Sequence, residues 1–138
     1  MKKDEFEKIA LVRIEEAKVL LQNNLYSGAY YLAGYALECA IKACLSKQIA
    51  QHYIPEKRFI MEVYTHDLQK LIKLDGELSS AHAEHIKSDN NFEINWTIVK
   101  DWSERSRYKR YDKNQAEELL EAIISKEGGI LTWVQQYW

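Results

Sequence analysis

Residues 100 to 113 form a connector rich in groups that bind anions. It reads Lys100-Asp101-Trp102-Ser103-Glu104-Arg105-Ser106-Arg107-Tyr108-Lys109-Arg110-Tyr111-Asp112-Lys113, with six basic and three acidic side chains, a net of +3. Guanidinium forks match pairs of phosphate oxygens, and tyrosine faces stack on bases. Arg105, Arg107, Arg110 and Tyr108 are therefore candidates for a nucleotide or RNA phosphate contact. The competing reading is a solvated connector whose arginines pair with acidic neighbours, since exposed ion pairs are common and weak.

Glu38 and Lys42 are an i,i+4 pair in the favourable order. They are either a structural pair on a helix surface or part of a polar groove facing the connector. In the second case Tyr31 and Tyr35 line that groove. His66 follows Thr65 at a helix start, where an imidazole serves local hydrogen bonding more often than catalysis. His82 and His85 stand at i and i+3, the spacing of a metal pair, but no third ligand is placed with them, and they read as exposed helix histidines. His52 lies in a loop and carries no signal. Cys39 and Cys44 diverge by ~140° around a helix, so they cannot bridge and read as buried thiols. There is no Gly-rich phosphate loop, nucleophile elbow or HExxH. The residues assign no catalytic group, metal or cofactor.

These groups sit in a chain of 138 residues, 46% hydrophobic and 29% charged, with net charge −2. One domain over residues 1–138 is the expectation. The balance of charge excludes a globally basic nucleic-acid binder but leaves a local patch open. One proline and five glycines argue against a sandwich or barrel, and two cysteines are too few for a disulfide framework. No apolar run approaches ~18 residues, so no membrane span is expected. The N-terminus moves directly into a charged amphipathic pattern without a signal peptide's apolar stretch, and the expected location is cytoplasmic.

The elements that hold the candidate residues follow from periodicity. A first helix is expected from Asp4, with Glu7 in the capping-box position and Phe6, Ala10, Ile14, Ala17 and Leu21 along one face, ending at Gln22-Asn23-Asn24. A second runs from about Tyr26 to about Gln51. Its Ala29, Ala33, Ala36, Ala40 and Ala43 step by four, three, four, three and form a seam that another helix can approach closely. Tyr31, Tyr35, Glu38 and Lys42 lie on the opposite side. Pro55 breaks the chain, and His52 to Tyr64 reads as a loop with room for one short helix. Thr65-His66-Asp67 caps a helix through Leu68, Leu71, Ile72 and Leu74, which Asp75-Gly76 stops. Further helices are expected over Leu78 to Lys87 and over Phe92 to Trp102, separated by a loop at Ser88-Asp89-Asn90-Asn91. The last helix opens at Asp112 with Gln115 in the capping-box position and continues in phase through Gly128-Gly129 to Trp138. No segment alternates with period two for long. The fold class is all-α: an up-down bundle of four main helices plus one or two short ones.

Four pieces of the sequence, in order, resemble the HEPN family (higher eukaryotes and prokaryotes nucleotide-binding). Tyr26-Ser27-Gly28-Ala29-Tyr30-Tyr31-Leu32-Ala33-Gly34-Tyr35-Ala36-Leu37-Glu38-Cys39-Ala40-Ile41-Lys42-Ala43 is similar to its signature helix. Thr65-His66-Asp67-Leu68-Gln69-Lys70-Leu71 is similar to its histidine-leucine segment, Trp102 to Tyr108 to the Arg-Tyr stretch before the last long helix, and Gly129 to Val134 to its final Gly-Ile-Leu-Thr-Trp-Val. The resemblance implies a four- or five-helix up-down bundle. It also implies one of two activities. Many members are dimeric, metal-independent ribonucleases, often toxins, whose Arg, then four to six residues, then His carry phosphate binding and 2′-OH-driven cleavage. Others are non-catalytic: they commonly pair with a minimal nucleotidyltransferase in toxin–antitoxin-like modules, or bind nucleotides.

This chain departs from the ribonuclease pattern, because no histidine follows Arg105, Arg107 or Arg110. Arg58 precedes His66 at the wrong place and spacing. The leading expectation is thus a module that binds nucleotide, RNA phosphate or a nucleotidyltransferase partner, as a homodimer, through Arg105, Arg107, Tyr108, Arg110, Glu38, Lys42, Tyr31 and Tyr35. The alternative is an atypical ribonuclease in which Arg105 or Arg107 clamps phosphate and Tyr108, Glu38 or His66 replaces the absent imidazole. A third is a structural subunit with Trp133, Tyr137 and Trp138 as interface anchors.

Overall fold

A computed structural model describes residues 1–47, 49 and 54–138. His52 and residues 48, 50 and 51 of the expected second helix lie outside the described residues, and Lys47 and Ile49 are turn residues, so the described helix stops at Ser46. Among the described residues there are eight α-helices and no strand, the all-α bundle that the periodicity predicts.

Helix α1 (Lys3–Gln22) and helix α2 (Tyr26–Ser46) form a long hairpin. The N-terminal cap lies two residues earlier than expected, with Glu5 accepting from the Lys2 backbone N–H at 2.9 Å. α1 ends in a Schellman turn: Leu25 N–H bonds Leu20 O at 2.9 Å, Asn24 N–H bonds Leu21 O at 3.2 Å, and Asn24 takes a φ of 61°. Asparagine tolerates that left-handed conformation better than most residues. The alanine seam of α2 is fully buried, and α1 presents Ala10, Ile14 and Ala17 to the core.

The far side of α2 is covered as well. From Gly34 through Ser46 the helix is buried all round, except for half-buried Tyr35. Cover comes from α4 (Leu68–Lys73), α7 (Lys113–Ile124), α8 (Ile130–Val134) and the connector. The two-faced helix expected from its composition is therefore the central rod of the bundle, and its polar groups are interior.

The remaining helices are short and individually capped. α3 spans Lys57–Val63. Asp67 caps α4 by accepting from Lys70 N–H at 3.1 Å. Asp75, expected to end a helix, also starts the next, α5 (Gly76–Ser88), by accepting from Glu77 and Leu78 N–H. Asp89 repeats the device for α6 (Asn90–Val99), so the expected loop at 88–91 contracts to a single hinge residue. Asp112 and Gln115 form the expected reciprocal cap of α7.

The last helix does not run through to Trp138. α7 ends at Ile124, and α8 begins at Ile130, followed by a 3-10 turn over Gln135–Tyr137. Gly128 has a φ of 77°, and its carbonyl accepts from Asn95 Nδ2 at 2.9 Å. A Cβ on Gly128 would stand 2.8 Å from Phe92 N. The break is thus a close backbone approach to α6. The apolar phase resumes beyond it because both pieces face the same core.

Candidate functional site

The connector is fixed to α2 before any of its charged groups is considered. Trp102 is buried, and its indole lies directly on Gly34: a Cβ there would come within 2.2 Å of the ring. Tyr31 stacks on the same indole with centroids 6.1 Å apart. At the other end of the connector, Tyr111 N–H donates to Ser27 Oγ at 2.9 Å, and the Tyr111 ring stacks on Tyr30 at 3.6 Å. Burial, then the neighbouring Tyr111, pushes the Tyr30 hydroxyl up to about 12. Between these anchors a 3-10 turn, Glu104–Tyr108, is capped by Ser103 Oγ.

Under this turn lies a chain of alternating charges. Glu38 is 2% exposed and Lys42 9%. Lys42 Nζ lies 3.3 Å from Glu38 Oε2. His66 Nδ1 lies 2.9 Å from Glu38 Oε1 and 3.1 Å from Oε2. On the outer side His66 Nε2 faces Glu104 Oε2 at 3.2 Å. Burying a carboxylate costs several kcal/mol unless it is paired and hydrogen-bonded, and Lys42 and His66 together meet that need. An ionised carboxylate only accepts, so Nδ1 carries a proton toward Glu38. A second carboxylate faces Nε2, so the ring lies between an inner and an outer acceptor.

His66 and Glu104 open onto a groove of about 570 Å³ between the start of α4 and the first half of the connector. Lys70, Lys100 and Arg105 supply cations to its wall, and Asp67, Asp101 and Glu104 supply carboxylates. Asp67 is partly occupied by its cap on α4. The groove therefore carries mixed charge, with three cations set against three carboxylates.

Of the residues singled out in the sequence, Glu38, Lys42 and Arg105 meet at or beneath this groove. Arg107, Tyr108 and Arg110 lie outside its lining, on the exposed side of the connector. Arg107 sits 4.9 Å above the Tyr108 ring. Hydrogen bonding to Tyr108, and then to Tyr31, holds its guanidinium above the usual arginine range. Tyr35 turns toward Cys39, and burial followed by that contact raises its hydroxyl to about 12. Glu104, Lys70 and Lys100 were not among the expected site residues, and His66 was expected only as a replacement imidazole in the ribonuclease alternative. The cap at Thr65-His66-Asp67 was the signal available for His66, and the other three carry none in the sequence.

Other candidates resolve into packing. His82 is not an exposed helix residue: it is half-buried and packs edge-on against Trp96 at 4.5 Å, with Phe92 and Trp133 nearby. Burial, then His85, lowers it to about 4. No group of three metal-binding side chains occurs among the described residues. Cys39 and Cys44 are free and buried, and burial raises them to about 11 and about 12. Trp133 is buried, and Trp138 Nε1 donates to Ala40 O at 3.1 Å, so these aromatics anchor the C-terminus inside its own bundle. The exposed apolar surface is elsewhere, a shallow depression of about 700 Å³ around Leu11, Val12, Val19 and Leu32. No helix among the described residues is long and apolar enough to cross a membrane.

The sequence model of the HEPN domain family matches residues 5–137. No curated protein and no solved structure matches the chain.

Proposed function

Because the chain belongs to the HEPN domain family, a nucleotide- and RNA-related helical module, we propose that it binds the phosphate of a nucleotide or RNA in the groove between α4 and the connector. The observation that carries this reading is His66, held by buried Glu38 at 2.9 Å with its other nitrogen turned to a groove that Lys70, Lys100 and Arg105 also line. Imidazole, ammonium and guanidinium donors converging on one opening suit a phosphate better than a neutral ligand. Arg107 and Tyr108, and Arg110 beyond them, extend the cationic and stacking surface past the groove mouth. Binding should weaken with salt, and Arg105→Ala or His66→Ala should weaken it further at constant salt. Unchanged affinity in both variants removes the groove from the function.

One observation favours a second reading, in which the same groove cleaves RNA without a metal. A buried carboxylate that orients an imidazole is the arrangement that places a general base. His66, neutral with its proton on Nδ1, would take the 2′-OH proton at Nε2 as the 2′-oxygen attacks phosphorus, while Arg105 holds the phosphate. The P–O5′ bond would break with the 5′-oxygen leaving protonated by water, giving a 2′,3′-cyclic phosphate. The test is cleavage in the presence of chelator, lost in His66→Gln and in Arg105→Ala. Intact RNA across several sequences ends this reading.

We also propose a protein partner, a second copy or a minimal nucleotidyltransferase as in toxin–antitoxin-like modules, on the apolar surface of α1. Exposed Leu11, Val12 and Val19 support it. Sedimentation of the wild type and of Val12→Glu, with co-purification from the native host, tests it.

A further inference from the structure

We infer that Glu104 is a specificity-determining residue: its carboxylate fills the seat on His66 Nε2 that a terminal phosphate takes, and only an anion with more than one charge displaces it. The inference rests on the reading of the groove as a phosphate site.

The two carboxylates on His66 differ in what they can do. Glu38 is buried, bonded through both oxygens and tied to Lys42, so it cannot leave. Glu104 is 43% exposed and has no second hydrogen bond or ion pair among the described residues. It stands on a short 3-10 turn whose cap, Arg105 N–H donating to Ser103 Oγ, is long at 3.3 Å. The inner carboxylate is a fixture and the outer one an exchangeable ligand. In shape and charge Glu104 is the chain's own stand-in for an anion.

Exchange sets the preference. A phosphodiester brings one negative charge to a seat that already holds one. The displaced carboxylate stays in the groove beside Asp67 and Asp101, so the exchange gains little. A phosphomonoester dianion places one oxygen on Nε2 and turns the others toward Lys70, Lys100 and Arg105. Attraction scales with charge, so the second charge supplies the advantage the diester lacks. The groove thus favours chain-end phosphates over internal linkages. Two sources share that chemistry: a free nucleoside 5′-monophosphate and the 5′-phosphate of an RNA.

Calorimetry on the full chain tests this with inorganic phosphate and dimethyl phosphate as probes, in wild type, Glu104→Gln, His66→Asn and the double variant. Wild type is expected to bind phosphate and not dimethyl phosphate. Glu104→Gln is expected to bind phosphate about threefold to tenfold more tightly and to gain measurable affinity for dimethyl phosphate. The double variant is expected to lose that gain, which a merely structural role for Glu104 would not produce. Adenosine 5′-monophosphate and a 5′-phosphorylated oligoribonucleotide form the source arms. Tighter binding by either identifies the source and supports the inference. Unchanged or weaker phosphate affinity in Glu104→Gln overturns it. So does wild-type protein that binds dimethyl phosphate, or an unphosphorylated oligoribonucleotide, as tightly as the phosphorylated probe; this comparison needs no variant to fold. Absence of phosphate binding in every form overturns the groove reading itself.

Discussion

His66 Nδ1 lies 2.9 Å from Glu38 Oε1, across 28 residues of sequence. The contact joins the start of α4 to the middle of the central helix and gives Glu38 a second polar partner beside Lys42. Glu38→Gln should therefore leave Lys42 buried without a full partner and destabilise the fold by about 3 kcal/mol. Urea unfolding measures this as a lower midpoint at constant slope. Glu38→Gln combined with Lys42→Met should recover part of the loss, because the orphaned charge is gone. No recovery would mean that the cost lies in packing rather than in the charge.

Gly34 is where the indole of Trp102 meets α2, with a would-be Cβ 2.2 Å from ring atoms. Gly34→Ala cannot be accommodated by a flexible side-chain end, since the ring is rigid and buried. Overpacking of this kind costs about 1–3 kcal/mol. Calorimetric unfolding should show the lower melting temperature. Loosened contact of Trp102 should also weaken phosphate binding at Arg105, three residues away.

His82 makes stability depend on pH in a defined window. Its folded value is about 4, below the ~6.5 of an unfolded imidazole. Between those values the unfolded chain binds the extra proton, so stability is complete above pH ~6.5 and is lost as the pH falls toward ~4. For a ring that is partly exposed, the loss is discounted to about 1–2 kcal/mol. His82→Phe keeps an aromatic ring against Trp96 and should flatten the melting temperature across that window. An unchanged slope would assign the acid sensitivity to another group.

The glycines divide by what surrounds them. Gly128→Ala combines a φ of 77° with a Cβ 2.8 Å from the Phe92 backbone nitrogen, and should cost about 1–3 kcal/mol. Gly76, the first residue of α5, has nothing within 4 Å of a would-be Cβ. Gly76→Ala should stabilise by about 0.4–1 kcal/mol by restricting the unfolded chain. Paired thermal melts of the two variants check the opposite signs.

Much of this protein was legible in the chain itself. The alanine spacing of α2, the cap at Asp67 and the reciprocal cap at Asp112 and Gln115 are local devices, and local spacing encodes them. Helix breaks were less visible. Gly128-Gly129 leaves the apolar phase intact, so periodicity alone cannot see a kink imposed by the backbone of α6. Asp75 and Asp89 each end one helix and begin another, and a composition reading sees only a loop.

The sequence alone determined the helices, their apolar faces and the positive connector, because these follow from residue type at fixed spacing. Tertiary structure decided which charges meet. Glu38, His66 and Glu104 come from three separate elements, and no periodicity links them. Packing of Trp102 on Gly34 lowers the connector onto α2, and the start of α4, capped by Asp67, sets His66 between Glu38 and Glu104. That closure converts the i,i+4 pair of Glu38 and Lys42 from a surface feature into the buried base of a groove.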